Sequence, residues 1–363
     1  MRAMTLPAAS TGCIDDSQVE GGAQQVADDS CVYSNDGGCD EPAPCVVGTD
    51  CTDCGNCGPL IRTSWHWSPA DCPSCSCTPF CDTDTAPYIS CHTLGLSGEA
   101  LVVDAIGNTN ATTLNFGSNR ITELVEPSLF SGMTALLLLL LDHNDLRNVD
   151  RTVFQSLTAL TALYLNDNRL SVVPSALFGG LIRLEELYLH KNELERLADP
   201  DVFSTLTALS LLSLHHNRLS TLHPDLFRST PLSVGLDLSY NKLQALEDAT
   251  IFGTLTAMAT LRLDYNQLSG IPPTLLANLT RLTELHLQGN MIESLDDCCT
   301  FASLTRLTSM RLFENQISRL HPDLFRTLTS LTYLGAYLVT ASICRSFCTD
   351  CIAIAGADTE MRS

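Results

Sequence analysis

Two groups of residues in this 363-residue chain have the types and spacing for metal chemistry. Cys54, Cys57, Cys72 and Cys75 are spaced C-x2-C-x14-C-x2-C, close to the pattern that gathers four thiolates around a tetrahedral zinc ion. Among the neighbouring cysteines stand Asn35, Asp36, Asp40, Asp50 and Asp53, whose oxygens are hard ligands of the kind calcium takes, with glycines that permit tight turns. The same segment also reads as a solvated acidic loop held by disulfides, with no ion. His190 and His215 stand in equivalent places of a repeating pattern and are placed to share a metal, but no third ligand accompanies them, so surface histidines are the simpler reading. The nucleophile elbow, Walker A, HExxH and GxGxxG patterns are all missing from the sequence, which points away from catalysis.

Composition bounds what those cysteines are for. Twelve of the 17 lie between Cys13 and Cys91, and the other five are Cys298, Cys299, Cys344, Cys348 and Cys351. Dense cysteines in Gly-, Asp- and Pro-rich sequence staple segments that lack enough apolar area to fold alone. Disulfides imply an oxidising compartment and zinc a reducing one, and titrating thiols on native protein separates the two. Formal charge is −21, which disfavours nucleic acid and anionic membranes, since both need clustered Lys and Arg. Met1-Arg2-Ala3-Met4-Thr5-Leu6-Pro7 is not followed by the apolar core of a readable signal peptide. The longest apolar run, Ala135 to Leu141, is too short to span a membrane.

What must position any site is an internal repeat. Asparagines recur at 119, 144, 168, 192, 217, 241, 266, 290 and 315, at intervals of 24 or 25. Each follows an L-x-L or close variant, such as Leu163-Tyr164-Leu165, and has an aliphatic residue two places after it. Ten or eleven residues on comes a phenylalanine, from Phe130 to Phe325, except for Leu276 in the seventh repeat. The period-two alternation predicts a short strand with leucines inward and the intervening residues outward. The asparagine amides should bond backbone groups of their own turn and of the next repeat, and the phenylalanines should stack along the opposite edge. One repeat cannot offset the entropy of its own ordering, so stability comes from stacking on both sides, with the ends covered.

These columns resemble the 24-residue class of leucine-rich repeats found in Slit proteins, small leucine-rich proteoglycans, Toll-like receptor ectodomains and variable lymphocyte receptors. The resemblance covers about Leu114 to Val339 and implies an α/β-type solenoid: a curved horseshoe with a parallel concave sheet, about ten repeats and a disulfide-rich N-terminal flank. Cys72-Pro73-Ser74-Cys75-Ser76-Cys77 with Cys91 resembles the N-terminal cap of extracellular members, although the first spacing is one residue short and Cys81 is extra. That cap implies pairing of Cys72 with Cys77 and of Cys75 with Cys91. The upstream acidic module is similar to the calcium-binding cysteine modules of Notch and lipoprotein receptors. The division expected is a tail (1–27), an acidic Cys-rich module (28–58), a linker (59–71), a cap (72–113), repeats (114–339) and a Cys-containing tail (340–363). The class implies an extracellular or cell-surface protein, with Asn110 and Asn278 as candidate glycosylation sites in N-x-T sequons.

Function should then sit on the outward side chains of the strands. Strands about 4.8 Å apart give ten repeats a floor of roughly 43 Å, the scale of a protein partner. Leu138, Leu140, Tyr164 and Tyr188, bordered by Glu186, His190 and His215, should form an exposed apolar and aromatic patch. Asp237, Arg262, Asp264, Glu284, His286 and Arg311 read as ordinary solvated surface. The leading expectation is a secreted or cell-surface recognition or adhesion protein. A fragment of a membrane receptor and a self-associating matrix protein are the competing ones.

Overall fold

The computed structural model describes residues 88–92, 97–98, 110–246 and 248–336. Over that stretch the chain winds as a solenoid around one parallel sheet. Eleven three-residue strands lie side by side in chain order, from Tyr88–Ser90 and Thr113–Asn115 to Ser309–Arg311 and Tyr333–Gly335. The register never slips. Ile89, Leu114, Leu139, Leu163 and Leu187 pair in sequence, followed by Leu212, Leu236, Leu261, Leu285, Met310 and Leu334. A one-residue slip would turn this whole buried column to solvent, so burial itself enforces the register. The strand Tyr88–Ser90 belongs to the cap expected at 72–113, so the sheet begins one strand before the repeat pattern does.

Behind the sheet the repeat columns become one continuous core. The strand leucines, the aliphatics after each asparagine and the phenylalanines from Phe130 to Phe301 are buried. Ring stacking is pairwise: Phe130 on Phe154 at 5.9 Å, Phe178 on Phe203 at 6.0 Å, Phe227 on Phe252 at 6.3 Å and Phe301 on Phe325 at 6.2 Å. Leu276, the exception, is equally buried, filling the place with aliphatic volume but no ring. No helix occurs among the described residues; outside the main sheet the chain runs in turns and four short two-stranded parallel ladders. The α/β-type expectation therefore holds in its parallel sheet and solenoid form, with turns where helices would run. Close packing of those turns leaves no room at Gly180, where a Cβ would lie 2.1 Å from the Gln155 carbonyl oxygen.

The asparagine ladder forms, but it reaches backward. Asn168 Nδ2 donates to Leu141 O of the preceding repeat at 2.9 Å, and also to Leu165 O and Asn166 O of its own turn. Its Oδ1 accepts from Leu146 N of the preceding repeat at 3.0 Å. The same bonds recur from Asn144 to Asn315. The contact to the next repeat expected from sequence is thus made to the one before.

The residue before every ladder asparagine has a left-handed backbone. These are Ser118, His143, Asp167, Lys191, His216, Tyr240, Tyr265, Gly289 and Glu314, with φ between 51° and 67°. Such a conformation costs a non-glycine residue roughly 1–2 kcal/mol. It persists because it sends the residue's own N–H to the next repeat, as in His216 to Ser239 O at 3.0 Å and Tyr240 to Asp264 O at 2.9 Å. No helix among the described residues is long and apolar enough to cross a membrane.

Candidate functional site

The open face of the sheet carries three columns of side chains, lying six, four and two residues before each asparagine. The left-handed residues add a fourth along one margin. Across five central repeats these columns join into a run of rings. Tyr164 stacks on Tyr188 at 4.3 Å, and Tyr188 meets His190 edge-on at 6.1 Å. His190 stacks on His215 at 4.2 Å, and His215 meets His216 edge-on at 5.1 Å. His216 then stacks on Tyr240 at 4.2 Å, and Tyr240 on Tyr265 at 4.5 Å. Seven rings from five successive repeats form one track.

The sheet imposes that spacing. Parallel strands in register place equivalent side chains about 4.8 Å apart, close to the centroid separation of two offset-stacked rings. The track steps sideways twice, at Tyr188–His190 and His215–His216, which is how it crosses from the strand residues to the left-handed margin.

Of the residues expected here, Leu138, Leu140, Tyr164, Glu186, Tyr188, His190 and His215 all lie on this face and all are half-buried. They are less open than an exposed patch implies. Leu140 pairs in register with Tyr164, the two tyrosines cover each other's faces, and Tyr188 Oη donates to Glu186 Oε2 at 2.9 Å. Burial, then the bond to Glu186, pushes the Tyr188 phenol above its ordinary range. His216, Tyr240 and Tyr265 were not anticipated, because they stand in the column just before the asparagine. Reading that column down the sequence would have found them. Tyr240 is 41% exposed, and His216 is exposed as well.

The two histidines do not converge on an ion. Their rings lie nearly parallel, 15° apart, so their nitrogens point along separate planes. His190 Nδ1 faces Ser213 Oγ at 3.1 Å, and His215 Nδ1 faces His216 Nδ1 at 2.9 Å. Burial, reinforced by His215, lowers His190 to about 4, outweighing the Asp167 carboxylate 3.9 Å away. His215 is lowered too, mainly by burial. For Asp167, desolvation opposes ionisation, yet hydrogen bonds from Asn166 and Lys191 hold the carboxyl below its usual value. At neutral pH His190 is therefore uncharged, with an ionised Asp167 beside it.

Further along, the mixed-charge set is only partly the solvated surface expected from sequence: Glu284 is exposed and Asp237, Arg262 and Arg311 are half-buried. Asp264 is fully buried, Ser239 and Gln288 nearly so, and His286 is 8% exposed. Arg262 spans Asp264 with two bonds of 3.2 Å and reaches Asp237 at 3.4 Å. The physical reason is the close strand spacing: long side chains on adjacent strands lie over one another and exclude water. Three buried polar atoms there have no hydrogen-bond partner: His286 Nδ1, Gln288 Oε1 and Arg311 Nε. His286 Nδ1 comes only to 4.0 Å from Asp264 Oδ1, too long for a bond. Burial, then Arg311 and Arg262, depresses its basicity. Beyond it the Arg311 guanidinium lies over the Tyr333 ring at 5.7 Å.

The remaining expectations divide by position. Asn110 and Asn278 are both exposed, and Asn278 Nδ2 donates to Gly253 O at 2.9 Å. Cys91 is buried and disulfide-bonded. Its expected partner Cys75, the expected Cys72–Cys77 pair, the candidate calcium ligands Asn35, Asp36, Asp40, Asp50 and Asp53 and the candidate zinc cysteines Cys54, Cys57, Cys72 and Cys75 lie outside the described residues.

Comparison with known proteins follows the same columns. The leucine rich repeat model matches residues 109–170, 159–219, 196–243 and 234–292, together half of the chain. No curated protein matches the chain by sequence. Among solved structures, a chain of the Drosophila Toll–Spatzle complex is similar in fold, with a TM-score of 0.56 and 22% identity. The similarity covers 66% of this chain and 34% of that one, so this chain spans about a third of that protein's length. A chain of the TLR13–ssRNA13 complex matches with a TM-score of 0.49 and 20% identity, over 66% of this chain and 42% of that one. An internalin from Listeria monocytogenes matches with a TM-score of 0.45 and 22% identity, over 65% and 70%.

Proposed function

Since the chain belongs to the leucine rich repeat family, we propose that it is a non-catalytic recognition protein of the extracellular space or cell surface, binding a protein partner on the open, concave face of its sheet. The observation that carries this reading is the seven-ring track. Stacked rings held rigid by a backbone ladder lose little entropy on contact, and tyrosines of this kind are common interface anchors. The polar floor complements it. A buried acceptor or donor left unpaired costs about 1–3 kcal/mol, and a partner supplying the missing bond recovers that cost. The disulfide at Cys91 favours the oxidising setting, where such bonds persist.

The test is capture from an extracellular fraction, with and without calcium, by the full chain and by a Tyr164→Ala/Tyr188→Ala variant. Loss of the captured protein by a variant that melts normally supports the reading, and equal capture by both overturns it.

A further inference from the structure

Away from the sheet face, one cluster has no part in the recognition surface. Cys298 and Cys299 are adjacent, exposed and free, on the loop between Leu295 and Phe301. Their sulfurs lie 3.1 Å apart. The Asp297 carboxylate completes a set of three donor atoms, all within 4.8 Å of one another. It is the one such group among the described residues.

The loop holds these groups in a fixed frame. Leu295 and Phe301 are buried on either side of it, with Phe301 stacked on Phe325. Cys299 N donates to Asp297 Oδ1 at 2.7 Å, which orients the carboxylate and leaves its other oxygen unengaged by that bond. Ala302 N donates to Cys299 O at 3.1 Å, and Thr300 Oγ1 to Asp297 O at 3.2 Å.

Adjacent cysteines are poor disulfide partners. Their Cα atoms are about 3.8 Å apart across a trans peptide, below the roughly 4.4–6.8 Å that an unstrained bridge requires. Closing the bond distorts the backbone and makes it easily reduced, so the pair persists as a dithiol more readily than ordinary cysteines do. A dithiol beside a carboxylate is a soft donor set with one hard oxygen. Tetrahedral zinc, at about 2.3 Å from each sulfur, needs the sulfurs about 3.8 Å apart. Rotation of two exposed side chains supplies the difference.

We propose that Asp297, Cys298 and Cys299 form a binding site for a thiophilic divalent cation of the zinc and cadmium type. Both thiolates and one carboxylate oxygen are ligands, and the fourth position is open to water. Binding displaces the two thiol protons into solvent, so the ion enters as M²⁺ and two H⁺ leave. The site is independent of the partner-binding face.

Cadmium chloride titration of the full chain tests this, read by the ultraviolet thiolate-to-cadmium absorption and by native mass spectrometry. The control is Cys298→Ser/Cys299→Ser, which leaves every other cysteine in place and changes only exposed side chains. We expect the wild-type chain to take up one ion more than the control, and Asp297→Asn to weaken that ion about tenfold or more. Equal uptake by wild type and control overturns the site. So does peptide mapping of the native chain that finds Cys298 and Cys299 joined as a disulfide. An unchanged affinity in Asp297→Asn removes the carboxylate from the proposed ligand set.

Discussion

Asn192 Oδ1 accepts the backbone N–H of Leu170 at 2.9 Å, across the boundary between two repeats. The same side chain donates to Leu165 O at 2.9 Å and Leu189 O at 3.1 Å, so one amide satisfies three buried backbone groups.

Replacing Asn192 with alanine leaves those groups in a dry turn without partners. At about 1–3 kcal/mol for each buried group left unpaired, moderated by relaxation, the loss should be about 2–4 kcal/mol. Urea unfolding measures it. A change below about 0.5 kcal/mol, the level of an ordinary surface substitution, would mean the ladder is decorative.

Gly180→Ala should destabilise the fold by a comparable amount, because the added methyl meets the Gln155 carbonyl oxygen at 2.1 Å and backbone must move. Thermal melts of this variant beside Gly270→Ala form a matched pair, since a Cβ at Gly270 meets nothing within 4 Å. Equal melting temperatures in the pair would contradict the packing described.

Tyr240→Ala with Tyr265→Ala should weaken partner binding as Tyr164→Ala with Tyr188→Ala does, by at least about tenfold for anchors of this kind. Both pairs belong to one track, and neither contributes to the buried leucine columns. Surface plasmon resonance against the captured partner decides it. A loss confined to the Tyr164 and Tyr188 pair would shorten the interface to its N-terminal part.

Acid should loosen the track. The folded His190 has its pKa lowered from 6.5 to about 4, so between those values the unfolded chain takes up a proton that the folded chain refuses. Stability therefore falls as pH drops through that window and is unaffected by this group above it. His190→Gln should flatten the decline, measured as the urea midpoint between pH 7 and pH 4. A wild-type midpoint as steep as the variant's would place the titration elsewhere.

Gln288→Met removes a buried acceptor with no partner while keeping length and volume. The free protein should gain about 1 kcal/mol, and partner binding should weaken if that acceptor is completed on docking. Denaturant midpoints and affinities on one protein preparation give both numbers, and a loss of stability would show that Oε1 is already satisfied.

The sequence alone settled the solenoid. The spacing from Asn119 to Asn315, the L-x-L triplets and the phenylalanine column repeat at a period that only stacked turns satisfy, because one turn cannot bury its own apolar face. The tyrosine and histidine positions Tyr164, Tyr188, His190 and His215 were legible for the same reason: they fall in columns whose direction follows from period-two alternation. Tertiary structure decided what those columns touch. The left-handed backbone at Tyr240 and Tyr265 leaves no trace in residue type, since tyrosine is not a residue that favours it; the neighbouring repeat's carbonyl imposes it. Burial of Asp264, His286 and Gln288 was equally hidden, because exposure on a strand face depends on the length of the side chains one strand over. Periodicity fixes which way a side chain points, and only packing between repeats fixes whether water still reaches it.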